Sequence, residues 1–160
     1  MLRYRDASVT DADAHALLAD YFAERAVGFP VEQGEYRPTW PDAGQFTPPA
    51  GVFLVVVDES GTAVGCGGVR RIQRRPETFE VRFEVKHLWL ARAARGGGEG
   101  RRLLAELERR AIEYGAQELV LDTNASLEAA GGLYRSAGYV DIESYNANPN
   151  ATNWYGKRVS

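Results

Sequence analysis

Between Leu90 and Arg110 the chain reads LARAARGGGEGRRLLAELERR, which sets Gly96, Gly97, Gly98 and Gly100 at the point where a helix begins. Each glycine costs a helical turn roughly 1 kcal/mol relative to alanine, so the cluster marks a place where bare backbone is wanted. Before it, Phe79 to Leu90 (FEVRFEVKHLWL) alternates like a strand; after it, Leu103, Leu104, Leu107, Ala111 and Ile112 form an apolar helical stripe that ends at Gly115. A strand, a glycine turn and a helix start in that order make an anion site, because N–H groups converge there and the helix dipole adds about half a positive charge. Phosphate is the ligand this arrangement suits. The phosphate-binding P-loop is excluded, since GxxxxGK(S/T) needs Lys-Ser/Thr where this chain has Arg101-Arg102. The dinucleotide fingerprint GxGxxG is excluded too, because Arg101 stands where its third glycine would be.

The rest of the chain supplies the sheet for this loop. Leu2 to Arg5 reads as a short strand, and Thr10-Asp11-Ala12-Asp13 opens a helix carrying Leu17, Leu18, Tyr21, Phe22 and Arg25 at helical spacing until Gly28-Phe29-Pro30 stops it. Val31 to Gly51 is broken by prolines and glycines and reads as a long loop or broken helix, of the kind that serves as a lid or binding segment. Val52 to Val57, a turn at Asp58 to Gly61, Thr62 to Ile72 and Phe79 to Leu90 then predict a three-strand antiparallel meander. Beyond the glycine-started helix come a strand at Glu118 to Leu121, a helix at Ser126 to Ala137 stopped by Gly138, and strands at Tyr139 to Ile142 and Trp154 to Val159. The order predicts an α/β domain over residues 1–160 built on a mixed, mostly antiparallel sheet of about six or seven strands flanked by helices.

Composition narrows the function classes. A net charge of -3 argues against a general nucleic-acid binder. Cys66 is the only cysteine, which excludes an intrachain disulfide and a zinc site built on several thiolates, so no metal is expected and a reducing, cytoplasmic setting is. No apolar run approaches the roughly 18 residues of a membrane span, and MLRYRDASVTDAD lacks the apolar core of a secretory signal. The expectation is a soluble, unprocessed protein that binds neither nucleic acid nor membrane.

Arg95-Gly96-Gly97-Gly98-Glu99-Gly100 fits R-x-x-G-x-G, and Ala130-Gly131-Gly132-Leu133-Tyr134-Arg135-Ser136-Ala137-Gly138-Tyr139 fits A-x-x-L-Y-x-x-x-G-F/Y. Both motifs, on these elements and in this order, resemble those of the GCN5-related N-acetyltransferase (GNAT) family. The tail from Tyr145 to Lys157 is similar to a pattern of bacterial members. The resemblance implies the GNAT fold, acetyl-CoA as cosubstrate, and transfer of its acetyl group to a primary amine on a small molecule or an exposed amino group. A non-catalytic acyl-CoA-binding or sensor module of the same fold is the alternative, and a homodimer stays open.

By the same resemblance, Glu84 matches the place of a catalytic glutamate and Tyr134 that of a tyrosine donating to the coenzyme sulfur. An amine of pKa about 10 must lose a proton before it attacks, and a thiolate leaves more easily if a phenol shares its proton. Glu84 paired with Arg82 or Lys86 on a strand face is the structural alternative, and His87 is a second candidate base. Cofactor contacts are expected from Leu88, Trp89 and Leu90, from Arg95, Gly96, Gly97, Gly98, Glu99, Gly100 and Arg101, and from Asn124, because Leu127 stands where many members carry an Asn. Glu99 is expected to point away from the anion. For the acceptor, Tyr21, Glu24, Glu32, Glu35, Tyr36 and Trp40 suit a cationic amine by charge and cation–π attraction.

Overall fold

Alternation in β2 (Gly51–Val57) puts every residue of an almost wholly apolar run into one of two cores, so this strand lies between helices on both faces. In the computed structural model, which describes residues 1–160, Val52, Leu54 and Val56 join one core with Leu103, Leu104 and Leu107 of α2 (Glu99–Glu113), while Phe53 and Val55 join the other with Leu17, Leu18 and Phe22 of α1 (Ala12–Gly28). The strands β1 (Arg3–Asp6), β2, β3 (Ala63–Arg71), β4 (Arg82–Leu90), β5 (Glu118–Thr123), β6 (Val140–Asp141) and β7 (Asn153–Arg158) form one sheet in the order β1-β2-β3-β4-β5-β7-β6. Only β4 and β5 run parallel; every other pair is antiparallel, as the predicted meander and mixed sheet require. The third helix, α3 (Glu128–Ser136), packs on the α2 side through Tyr134.

One glycine explains how closely α2 lies on the sheet. A Cβ at Gly67 in β3 would come 2.9 Å from Leu107 Cδ1, so the bare strand lets the helix seat its leucines directly on the backbone.

The segment from Val31 to Gly51 is the broken stretch expected, holding two single 3-10 turns at Val31–Gln33 and Ala43–Phe46. Several boundaries differ, and β5 runs on to Thr123 past the expected Leu121. The strand predicted from Phe79 begins at Arg82, because Phe79 has a φ of 60° and its N–H closes a turn on Arg75 O. Helix α3 starts at Glu128 rather than Ser126, since the Asn124 side chain accepts from Ser126 N and Oγ and shapes a turn there. The strand expected over Tyr139 to Ile142 shrinks to two paired residues. No helix is long and apolar enough to cross a membrane.

Candidate active site

The sheet opens at its centre. Strand β4 pairs with β5 only from Arg82 to Glu84, opposite Glu118 to Val120, while β5 stays paired with β7 as far as Thr123. Past Glu84 the two parallel strands part, leaving the edge of β4 that faces β5 without a strand partner. A bulge on the other edge drives the departure. Cys66 pairs with Trp89 and Gly68 with Lys86, so Gly67 alone faces both His87 and Leu88. His87 takes the bulge with a φ of 59°, a left-handed conformation costly for a non-glycine residue, and Cys66 Sγ donates to His87 O at 3.3 Å.

A cavity of about 540 Å³ occupies this opening. Lys86, His87 and Leu88 of β4 and Asp122 of β5 line one part of it, Tyr21, Phe22 and Arg25 of α1 another, and Tyr36, Trp40 and Phe46 of the broken segment a third. Tyr134 reaches it from α3. The neighbouring tyrosines Tyr139 and Tyr145 donate to Glu108 and Glu84, but no protein group bonds the Tyr134 hydroxyl, which is not among the enclosed unpartnered atoms and so opens on the cavity. Burial raises the Tyr134 pKa, so the phenol keeps its proton at neutral pH.

The glycine turn lies at the end of β4. Gly98 caps α2 in the left-handed region, with no side chain capping the helix, and the amides from Gly96 through Arg101 take no acceptor within the protein. Gly96 and Gly98 have φ values of 92° and 77°, which explains glycine there by backbone geometry alone. Gly97 has no such reason: its φ is not positive and nothing lies within 4 Å of where its Cβ would stand.

The description Acetyltransferase (GNAT) family matches residues 14–139. The chain belongs to that family. It is 35% identical over 105 residues to an uncharacterized N-acetyltransferase of Schizosaccharomyces pombe, a match covering 66% of this chain and 61% of that protein. It is 37% identical over 90 residues to an IAA acetyltransferase of Azospirillum brasilense, covering 56% of each. The chain thus spans roughly three fifths or less of these relatives' lengths. Among solved structures, a protein described as an acyl-CoA N-acyltransferase from Klebsiella pneumoniae superposes with a TM-score of 0.76 at 27% identity, covering 99% of this chain and 97% of that one.

Within this GNAT fold the expected site residues separate into those on the cavity and those behind it. Tyr134 and Leu88 are on it. Glu84 is not: it is 1% exposed, Arg70 Nε and an Arg70 terminal nitrogen lie 2.9 Å from its Oε1, and Tyr145 donates to Oε2 at 2.7 Å. Lys86 stands 3.7 Å from Oε2, while Arg82 donates instead to the carbonyls of Gln73 and Arg74. His87 lines the cavity, but burial and the charges of Lys86 and Arg70 push its pKa down to about 3, and its Nδ1 is enclosed without a partner.

The charged residues around the loop are more engaged than expected. Arg95 reaches both oxygens of Glu24 at 2.9 Å and donates through Nε to Leu90 O at 2.8 Å, while Trp89 Nε1 donates to Glu24 at 3.0 Å. Arg95 therefore ties the loop to α1. Glu99 pairs with Arg102 one turn on, and Arg101 donates to Ser136 Oγ at 3.2 Å. Asn124 is 1% exposed, and its amide is taken up by Gln33, the Asn150 carbonyl and Ser126, so it braces loops and offers nothing to the cavity.

The acidic half of the expected acceptor surface is absent from the cavity. Tyr21, Tyr36 and Trp40 line it, but Glu24 turns to Arg95, and Glu32 and Glu35 lie elsewhere. Successive helical residues point about 100° apart, so Arg25 enters the cavity where Glu24 leaves it. Sequence reasoning missed Asp122 and Lys86 on the cavity, which the tail also lines through Asn146, Asn148 and Asn150. Lys86 donates to Asp122 Oδ1 at 3.2 Å and Asn146 to Oδ2 at 2.7 Å; burial opposes ionisation of Asp122, but these partners hold its pKa below the usual value. Asn146 and Asn148 each accept the backbone N–H two residues on, from Asn148 and Asn150, a pair of successive Asx turns that the N-x-N-x-N spacing displays.

Proposed function

We propose that this chain moves an acetyl group from acetyl-CoA to a primary amine by direct transfer. The observation that carries the reading is an unbonded phenol at an opening beside a free strand edge, with the free amides of a helix start following at the end of that same strand. Gly97 supports an occupant outside the protein, because nothing in the fold itself calls for glycine there. The amides from Gly96 to Arg101, with Arg101 beside them, are assigned to the pyrophosphate. The unpaired edge of β4 at Leu88 to Leu90 is assigned to the pantetheine arm and to polarising the carbonyl.

When bound, the coenzyme supplies the acetyl group already activated as a thioester. The chain's own residues then position and protonate. Tyr134, kept protonated by burial, donates to the sulfur as charge develops on it. Glu84 holds Arg70, Lys86 and Tyr145 from behind the cavity, a positioning role, so the acceptor amine gives its proton to water. It follows that kcat/KM climbs with pH until the acceptor's own pKa is passed.

Calorimetry with acetyl-CoA, followed by measurement of amine-dependent thiol release against pH, tests this. Binding with release that tracks the amine pKa is expected; no binding at millimolar acetyl-CoA rules the reading out.

A further inference from the structure

We infer that the acceptor carries a carboxylate beside its amine, as amino acids do, and that Arg25 is the residue that recognises it. This rests on the acetyl-transfer reading and adds the substrate class. Among the charged side chains lining the cavity, all but one have a partner: Arg70 is paired with Glu84, Lys86 with Asp122, and Asp42 accepts from Gly44 N. Arg25 has no ion pair and no hydrogen bond. Its guanidinium sits 5.0 Å from the centre of the Tyr36 ring, and Arg25 and Tyr36 both line the cavity.

A guanidinium with unused donors at the wall of a cavity suits a carboxylate, which it holds with two parallel N–H···O bonds. Arg25 and Tyr134 line the same cavity. A carboxylate held there leaves the neighbouring amine toward Tyr134 and the parting of β4 and β5. In the transfer, the amine nitrogen bonds to the acetyl carbonyl carbon as the carbon–sulfur bond breaks; the amine proton goes to water, and the sulfur takes the Tyr134 proton, which water restores. The products are an N-acetyl amino acid and free coenzyme thiol.

The test compares amino acids with their uncharged carboxamides as acceptors for the parent protein, Arg25→Gln and Arg25→Lys, alongside calorimetry of acetyl-CoA and of N-acetyl amino acids in the presence of coenzyme A. Acids should exceed their amides in kcat/KM by about 10- to 100-fold, the span of a charge-assisted pair. Arg25→Gln should erase that preference, Arg25→Lys should restore part of it, acetyl-CoA affinity should stay unchanged, and N-acetyl amino acid binding should weaken in parallel. Equal turnover of acids and amides, turnover confined to amines without a carboxylate, or an Arg25→Gln effect equal on both overturns the inference while acetyl transfer stands. Failure of acetyl-CoA to bind overturns both.

Discussion

His87 is the most strained side chain at the site and the one whose charge state folding changes most. Folding lowers its pKa from 6.5 to about 3, so between those values the unfolded chain binds a proton that the folded chain does not. Stability contributed by the neutral ring is therefore complete above about pH 6.5 and declines as the pH falls toward 3, by at most about 1.4 kcal/mol per pH unit. Asparagine tolerates the left-handed backbone that His87 adopts, so His87→Asn isolates the ring. Thermal melting across pH 4 to 8 should show the parent losing more stability on acidification than His87→Asn, whereas parallel curves would contradict the assignment. Residue by residue, the sequence announced Tyr134 through its motif because the helix that carries it is local. It could not announce the engagement of Glu84, whose partners Arg70 and Tyr145 lie 14 and 61 residues away, nor that of Arg95, tied to Glu24 across 71. The partner of Glu99 was within reach of the sequence, since Arg102 stands three residues on in the first turn of α2 and pairs with it.

At the scale of elements, the start of α2 and the bulge of β4 do different work. The helix start was readable because clustered glycine is costly there and marks a special backbone; the bulge was not, because FEVKHLWL alternates with no glycine or proline to mark the extra residue. The parting of β4 from β5 follows from pairing between strands that the 82–90 and 118–123 segments reveal only when placed side by side. Gly97 gives this scale its test. A side chain there meets no protein atom, so Gly97→Val should keep the parent melting temperature within a few degrees yet weaken acetyl-CoA binding about tenfold or more. A large fall in melting temperature with unchanged affinity would mean that the glycine serves the fold instead. Asn150 bonds both Arg37 N and Arg37 O, which ties the broken segment to the tail across 113 residues.

Taken as a whole, the molecule gathers α1, the broken segment, β4, β5, α3 and the tail around one opening in the parted sheet, and α1 also ties that opening to the glycine turn. Tyr21 and Arg25 of that helix face the cavity, while Glu24 between them reaches Trp89 at the end of β4 and Arg95 at the loop. The three-strand meander, the mixed sheet and the family were legible because each rests on patterns within single segments. The charge of the cavity wall was not, because the wall is assembled from α1, the broken segment, two strands and the tail, and the side of α1 that faces inward decides it. The central claim is that this shared opening performs acyl transfer with Tyr134 as the proton donor. The most direct measurement is the thiol-release rate of Tyr134→Phe against the parent at saturating acetyl-CoA and acceptor, with acetyl-CoA affinity measured on the same samples. The account predicts a kcat lower by about 100-fold with affinity unchanged; an unchanged kcat would contradict it.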